Sequence, residues 1–280
     1  MRQPPDATDV PSVAVAYLAR GADRQWRESV DRFLQSYRLH EAGHPHDLHL
    51  ILKGFASNDD IAWVRKQFAT VPHREFETTD DRYDIGAYTD WSETIGDEYI
   101  LPLNTASEIL GDEWLQKYAR CFAQPGVGLV GATGSYESLS QYIADFPVFP
   151  NIHIRSTAFL IRRELFLQIA RQFDTRTKHA AFAFESGGTS LTRQVMQQGL
   201  KVLVVGRDGR GFSPKFWPGS ETFRQGNQEN LLVADNQTRA FTETVWAEKA
   251  VICQRTWGPH LDDWLWQPSL GERLTGWFRS

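Results

Sequence analysis

The chain has 280 residues, 41% of them hydrophobic, enough for a sizeable core in one large domain or two small ones. Its 30 Lys and Arg against 35 Asp and Glu leave a net charge of −5, which argues against a protein built to grip a nucleic-acid backbone. Cys121 and Cys253 are too few for a disulfide framework, and no Cys/His cluster has zinc spacing, whereas aromatic residues reach 12% with 10 tryptophans.

Residues 1–11 are polar and carry prolines, so they read as a flexible N-terminus without an apolar secretion segment. No run approaches the ~18 apolar residues of a membrane span. A cytoplasmic, soluble protein is expected, with peripheral membrane contact left open.

In chain order, 12–19 is a continuous apolar run, as in a strand buried on both faces of a parallel sheet. A helix follows over 25–37, with Trp26, Val30, Phe33, Leu34 and Tyr37 at helical spacing. Residues 48–52 form a second strand, and Ser57 caps a helix through Ile61, Val64 and Phe68. Short strands are expected near Phe76, at 99–103 and at 127–131, with a helix over 112–122 between the last two. Pro102 belongs near its strand's end, since proline cannot donate to a central ladder.

The second half is less regular. A strand over 153–161, a helix over 164–173 and a strand-like run over 180–184 are expected. A helix through Leu191 and Val195 stops at Gly199, and 201–205 is a further strand. Residues 206–230 are loop-rich, and a last helix is expected to start near Thr242. The pattern predicts a mainly parallel α/β sheet with flanking helices over 12–240, followed by an aromatic C-terminal extension over 241–280.

Gly126-Val-Gly-Leu-Val-Gly131 matches G-x-G-x-x-G literally, but the match contains the apolar strand itself and follows a helix, so it reads as a helix-to-strand turn. The stronger signal lies at the strands' carboxyl ends, where open α/β sheets bind ligands. These ends carry Arg20-Gly21, Lys53-Gly54, a polar stretch from Thr78 to Tyr88, and Asn104-Thr-Ala-Ser107. Asp80-Asp81 reads as solvated loop rather than as a pair of metal ligands.

The segments Tyr83-Asp84-Ile-Gly86-Ala-Tyr88, Leu103-Asn104-Thr-Ala-Ser107, Trp114-Leu115, Gly128-Leu-Val-Gly131-Ala-Thr-Gly134, Asn151-Ile-His153-Ile-Arg155 and Phe184-Glu185-Ser-Gly187 follow one another in order. Together they resemble the GT-A glycosyltransferases, in particular the family-2-type branch with rhamnan-synthesis and other polysaccharide enzymes. The resemblance spans roughly 12–210. It implies a nucleotide-sugar donor, with Arg20 and Lys53 near base and ribose, Asp84, Gly86 and Tyr88 bordering the nucleotide, and Asn104 to Ser107 where such enzymes carry Asp-x-Asp. Gly86 would allow close backbone approach.

No carboxylate precedes Glu108 in that loop, so no metal ligand is assigned and dependence on Mg²⁺ or Mn²⁺ is open. Arg155 or Lys53 would then neutralise the departing diphosphate. Glu185 is the candidate base that takes the acceptor's proton in an inverting transfer; its plain alternative is a helix-terminal carboxylate. His153 and Arg155 alternate with isoleucines and so would share a strand face toward donor or acceptor, with a buried core role as the alternative for His153. Arg207 and Arg210, within Gly206-Arg-Asp-Gly-Arg-Gly211, would belong to a loop closing on diphosphate, with a plain turn as the alternative. Trp217, Tyr136 and Tyr142 would offer rings to a sugar, or fill the core.

The expectation is glycosyl transfer to a carbohydrate hydroxyl in polysaccharide or glycan assembly. Its rivals are a nucleotidyltransferase and a non-catalytic glycan-binding scaffold. Trp246, Trp257, Trp264, Trp266 and Trp277, half of all the tryptophans, fall in the last 40 residues and are expected to pack as a C-terminal arm.

Overall fold

The computed structural model describes residues 11–261. Its elements are β1 (Val13–Arg20), α1 (Trp26–Leu39), β2 (His46–Lys53), α2 (Asn58–Phe68), β3 (Arg74–Thr78), α3 (Asp84–Thr94), β4 (Tyr99–Leu103), β5 (Glu108–Ile109), α4 (Trp114–Phe122) and β6 (Val127–Gly131). They continue with β7 (Gly134–Ser135), β8 (His153–Ile154), β9 (Phe159–Arg162), α5 (Arg163–Ala170), α6 (Lys178–Ser186), α7 (Leu191–Gln197), β10 (Lys201–Val205), β11 (Gly211–Phe212), β12 (Val233–Ala234), α8 (Asn236–Glu243) and α9 (Trp246–Trp257).

Eight strands form the central sheet in the order β11-β10-β6-β9-β4-β1-β2-β3. The pairs β1–β2, β1–β4, β2–β3 and β6–β10 are parallel, while β9 runs antiparallel between β4 and β6. This is the expected mixed α/β architecture with a mostly parallel sheet. Two small ribbons, β5–β12 and β7–β8, stand off it.

The continuous apolar run of β1 is explained by its neighbours on both sides. Val13, Val15 and Tyr17 join a core with Phe33 of α1, Phe68 of α2 and Trp114 of α4. Ala14, Ala16 and Leu18 join a second core with Trp91 of α3, Phe166 of α5 and Val195 of α7. The sheet therefore separates two cores, one on each face. Pro102 is the penultimate residue of β4, beyond the stretch where β9 pairs regularly with that strand. Gly126 (φ +79°) turns the chain from α4 into β6, with Gly128 and Gly131 inside the strand, so no phosphate-binding loop forms there.

Four expectations are corrected. The stretch leading to Tyr88 is not loop throughout: α3 begins at Asp84, and burial all round it erases the amphipathic period. Residues 153–161 are not one strand, because a turn from Arg155 to Ala158 separates β8 from β9. The run 180–184 is helical, since the Thr177 hydroxyl caps α6 by accepting from the amide of Ala180 at 3.1 Å. The last helices begin at Asn236 and Trp246; Asp235 and Thr238 form a reciprocal cap that starts α8 six residues before Thr242.

At the C-terminal end, Trp257 is fully buried in the second core, and its indole donates to the carbonyl of Phe223 at 3.0 Å. Trp264, Trp266 and Trp277 lie outside the described residues. Both cysteines are buried free thiols whose pKa values burial pushes up to about 12. Among the described residues no helix is long and apolar enough to cross a membrane.

Replacing Trp257 by Ala should cost about 3–5 kcal/mol of unfolding free energy in urea titration. A loss below about 1 kcal/mol would show that α9 is not part of the cooperative core.

Candidate functional site

Strand alternation places the polar ends of three strands on one face. Arg20 ends β1 in register with Lys53 of β2, and each lies two residues beyond a residue of the second core, Leu18 and Ile51. Asn104, just past β4, continues the alternation from Ile100. The N-terminus of α3 rises beside them.

The hub of this end is Asp80, of the Asp80-Asp81 pair that the sequence presents as solvated loop. Its carboxylate accepts from Arg20 Nε and Nη2, both at 2.8 Å, and lies 3.1 Å from Lys53 Nζ. The hydrogen bonds from Arg20, with Lys53 behind them, hold its carboxyl below the usual range. The Lys53 side chain is 1% exposed and stands 3.9 Å from Asp84. Asp84 keeps 45% of its side-chain surface at the head of α3. Desolvation raises its pKa, and Lys53 opposes the rise. Deeper on α3, Tyr88 is fully buried, its hydroxyl without a hydrogen-bond partner among the described residues, so it underlies the strand ends rather than facing a ligand.

Gly86 has a different purpose from the one expected. A Cβ there would lie 2.5 Å from Arg82 Cβ and 2.7 Å from the Thr175 hydroxyl. Arg82 fills that space, donating to Thr175 at 2.9 Å and pairing with Asp90. The missing side chain accommodates protein, not a ligand.

The Asn104–Ser107 turn is closed on itself, with Ser107 Oγ donating to Asn104 Oδ1 at 3.0 Å. Tyr17 donates to the carbonyl of Thr105, and Arg239 to that of Ala106, each at 3.0 Å. Glu108 beyond it is held by Arg239 at 3.2 Å and Arg32 at 3.7 Å. The oxygens present are thus mostly neutral and already engaged, a donor set that does not fit a divalent cation. Among the described residues no group of three or more His, Cys, Asp and Glu could hold a metal ion.

Glu185, on the last turn of α6, is pinned to the turn between β8 and β9. Its Oε2 accepts from the Ser156 amide at 2.7 Å and hydroxyl at 2.5 Å. The next residue, Thr157, accepts the amide of Asn104 at 3.1 Å. Glu185 and the strand-end turn are therefore held by adjacent residues. Glu185, His153 and Arg155 border one cavity of about 260 Å³, together with Glu137, Phe223, Arg224 and Arg255.

His153 is buried, with Nδ1 2.7 Å from the carbonyl of Asn151; desolvation lowers its pKa, while Glu185 pulls the other way. The Arg155 guanidinium is engaged by buried Asp235 at 2.9 Å. Burial alone would raise the Asp235 carboxyl, but Arg155 and the Thr238 bonds outweigh it and hold the group low.

Two other expected residues lie elsewhere. Arg207 borders a separate cavity of about 600 Å³ with Glu108 and Arg239, away from Glu185. Trp217 is wholly buried, packed on Gly134 with its indole bonded to the carbonyl of Phe212, so it offers no face to a sugar. Tyr136 is likewise core, whereas Tyr142 is exposed.

The fold is that of a mainly parallel α/β protein with polar residues gathered at the strands' carboxyl ends. No known family matches the chain, and neither does any curated protein, so the glycosyltransferase resemblance stands on its motifs. Solved structures do match. The chain is similar to mannosyltransferase PcManGT from Pyrobaculum calidifontis, in complex with GDP-Man and Mn²⁺, at 14% identity and a TM-score of 0.49, over 79% of this chain and 61% of that one. It is also similar to 4-diphosphocytidyl-2C-methyl-D-erythritol synthase from Anaerococcus prevotii DSM 20548, at 11% identity and a TM-score of 0.48, over 71% of this chain and 88% of that one.

Three desolvated imidazoles, those of buried His49 and His153 and half-buried His46, set a pH dependence. His46, His49 and His153 all have pKa values lowered by desolvation. The unfolded chain takes up protons first, so their stability contribution is present above about pH 6.5 and is lost as pH falls toward the folded values. Unfolding free energy should drop between pH 7.5 and 5.5, and His49→Gln should flatten that slope. An unchanged slope in the variant would remove His49 from the account.

Proposed function

We propose that the protein transfers a sugar from a nucleoside-diphosphate sugar to an acceptor hydroxyl, in polysaccharide or glycan assembly. The observation that carries this reading is the tie through Ser156 and Thr157 between the Glu185 carboxylate and the strand-end turn at Asn104. In this reading the nucleoside lies over Asp84, Lys53 and Arg20, with its diphosphate toward Asn104 and Ser107.

Glu185 Oε2 is fixed by Ser156, while Oε1 accepts no hydrogen bond among the described residues. Oε1 takes the acceptor proton as the acceptor oxygen bonds to the anomeric carbon. The bond from that carbon to the diphosphate breaks, and the nucleoside diphosphate leaves with its electron pair. Attack from the face opposite the leaving group inverts the anomeric centre. The Lys53 ammonium stays beneath the nucleoside, paired with Asp80 and Asp84, and no step passes through a metal ion.

A second reading rests on the same strand ends. The surface over Arg20, Asp84 and buried Lys53 would also take a nucleoside triphosphate, and nucleotidyl transfer would release pyrophosphate. Calorimetry against a panel of nucleotide sugars and nucleoside triphosphates, with and without Mn²⁺, separates the two. Silence across the panel would leave a non-catalytic scaffold.

Glu185→Gln should lower transfer by about 10²–10⁴-fold while nucleotide binding holds within a factor of two or so. Undiminished turnover would take Glu185 out of the mechanism.

A further inference from the structure

The cavity beside Glu185 has an uneven distribution of charge. Three guanidiniums border it, those of Arg155, Arg224 and Arg255, against the carboxylates of Glu137 and Glu185. Asp235, from behind the wall, answers Arg155 at 2.9 Å. Glu185 Oε2 is held by Ser156, a neutral partner that leaves its charge in place. Glu137 is the one carboxylate paired with both remaining arginines, with Oε2 2.6 Å from Arg224 and Oε1 2.6 Å from Arg255, while Arg224 also donates to Gln237 at 2.9 Å and Thr256 at 3.2 Å.

The three arginines also differ in reach. Arg155 and Arg224 are buried, and their guanidiniums lie 4.5 and 4.8 Å from the ring of Phe223. Arg224 Nε is buried without a hydrogen-bond partner among the described residues, so Glu137 does not satisfy that side chain fully. Arg255 keeps 50% of its side-chain surface, which makes it the cation a ligand meets.

We infer that this cavity receives an acceptor bearing an anionic group, a carboxylate or a phosphate monoester, which takes the guanidinium of Arg255 from Glu137. Glu137 then remains with Arg224, and each arginine has an anion of its own. A neutral acceptor leaves one carboxylate divided between two guanidiniums. Planar guanidinium pairs with such groups through two parallel hydrogen bonds, so the contact orients as well as attracts. At about 260 Å³ the cavity is slightly below the usual range of ligand pockets, which suits one terminal sugar unit rather than a long chain. The inference deepens the proposed transfer, because it names the acceptor class of the site that holds Glu185.

The test is ligand-observed NMR titration of the full chain with glucuronate, glucose 6-phosphate and glucose. At least one charged sugar should bind about tenfold or more tightly than glucose, and which one shows whether the group is a carboxylate or a phosphate. Arg255→Gln should abolish that preference, whereas Arg176→Gln, the same charge change at a distant exposed site, should keep it. Glu137→Gln should tighten the charged sugar several-fold, a gain that a misfolded variant cannot produce. Equal binding of charged and neutral sugars, or a preference that survives Arg255→Gln, overturns the inference. If the preference holds but no nucleoside diphosphate binds, the transfer reading fails and the anion site stands.

Discussion

The turn at Arg155–Thr157 is the constraint on which the candidate site depends. Its three residues tie together parts of the fold far apart in sequence: Arg155 binds Asp235 at the head of α8, Ser156 holds Glu185 at the end of α6, and Thr157 takes the amide of Asn104. The Arg155–Asp235 pair is almost fully buried, so removing either partner would strand a charge, a change that typically costs about 3–5 kcal/mol. Its net contribution against an apolar pair is far smaller. What the pair supplies is position: it locks the turn that presents Ser156 to Glu185.

Around this turn the electrostatics divide in two. At the strand ends, Arg20 and Lys53 face Asp23, Asp80 and Asp84, two cations against three carboxylates. Such a surface suits the hydroxyls and base of a nucleoside. Across the turn, three arginines border the cavity beside Glu185, with Glu137 and Glu185 in its lining and Asp235 pairing Arg155 from behind. Arg255 is the guanidinium of the three that stays half exposed, and it shares its carboxylate with Arg224.

The sequence made the sheet legible because strands buried on both faces leave continuous apolar runs; β4, β6 and β10 have the expected bounds. It hid α3 for a related reason: a helix buried on all sides has no polar stripe, and its Thr, Ser and Gly residues imitate a loop. Strand alternation did place Arg20, Lys53 and Asn104 at neighbouring strand ends. The pairing of Asp80 with Arg20, across 60 residues, left only a polar Asp-Asp in a loop as its trace. Glu137, Arg224 and Arg255 come from three separate segments and meet only in the folded chain. Trp217 and Gly86 show the converse, since residue types suited to ligands serve internal packing here.

The central claim, that the strand ends between α3 and the Ser156 turn hold the nucleotide, is tested most directly by hydrogen exchange during titration with nucleoside diphosphates. The account predicts slowed exchange confined to residues 20–24, 80–88, 104–107 and 155–158. Protection centred instead on the cavity of Arg207 and Arg239, with those four segments unchanged, would contradict it.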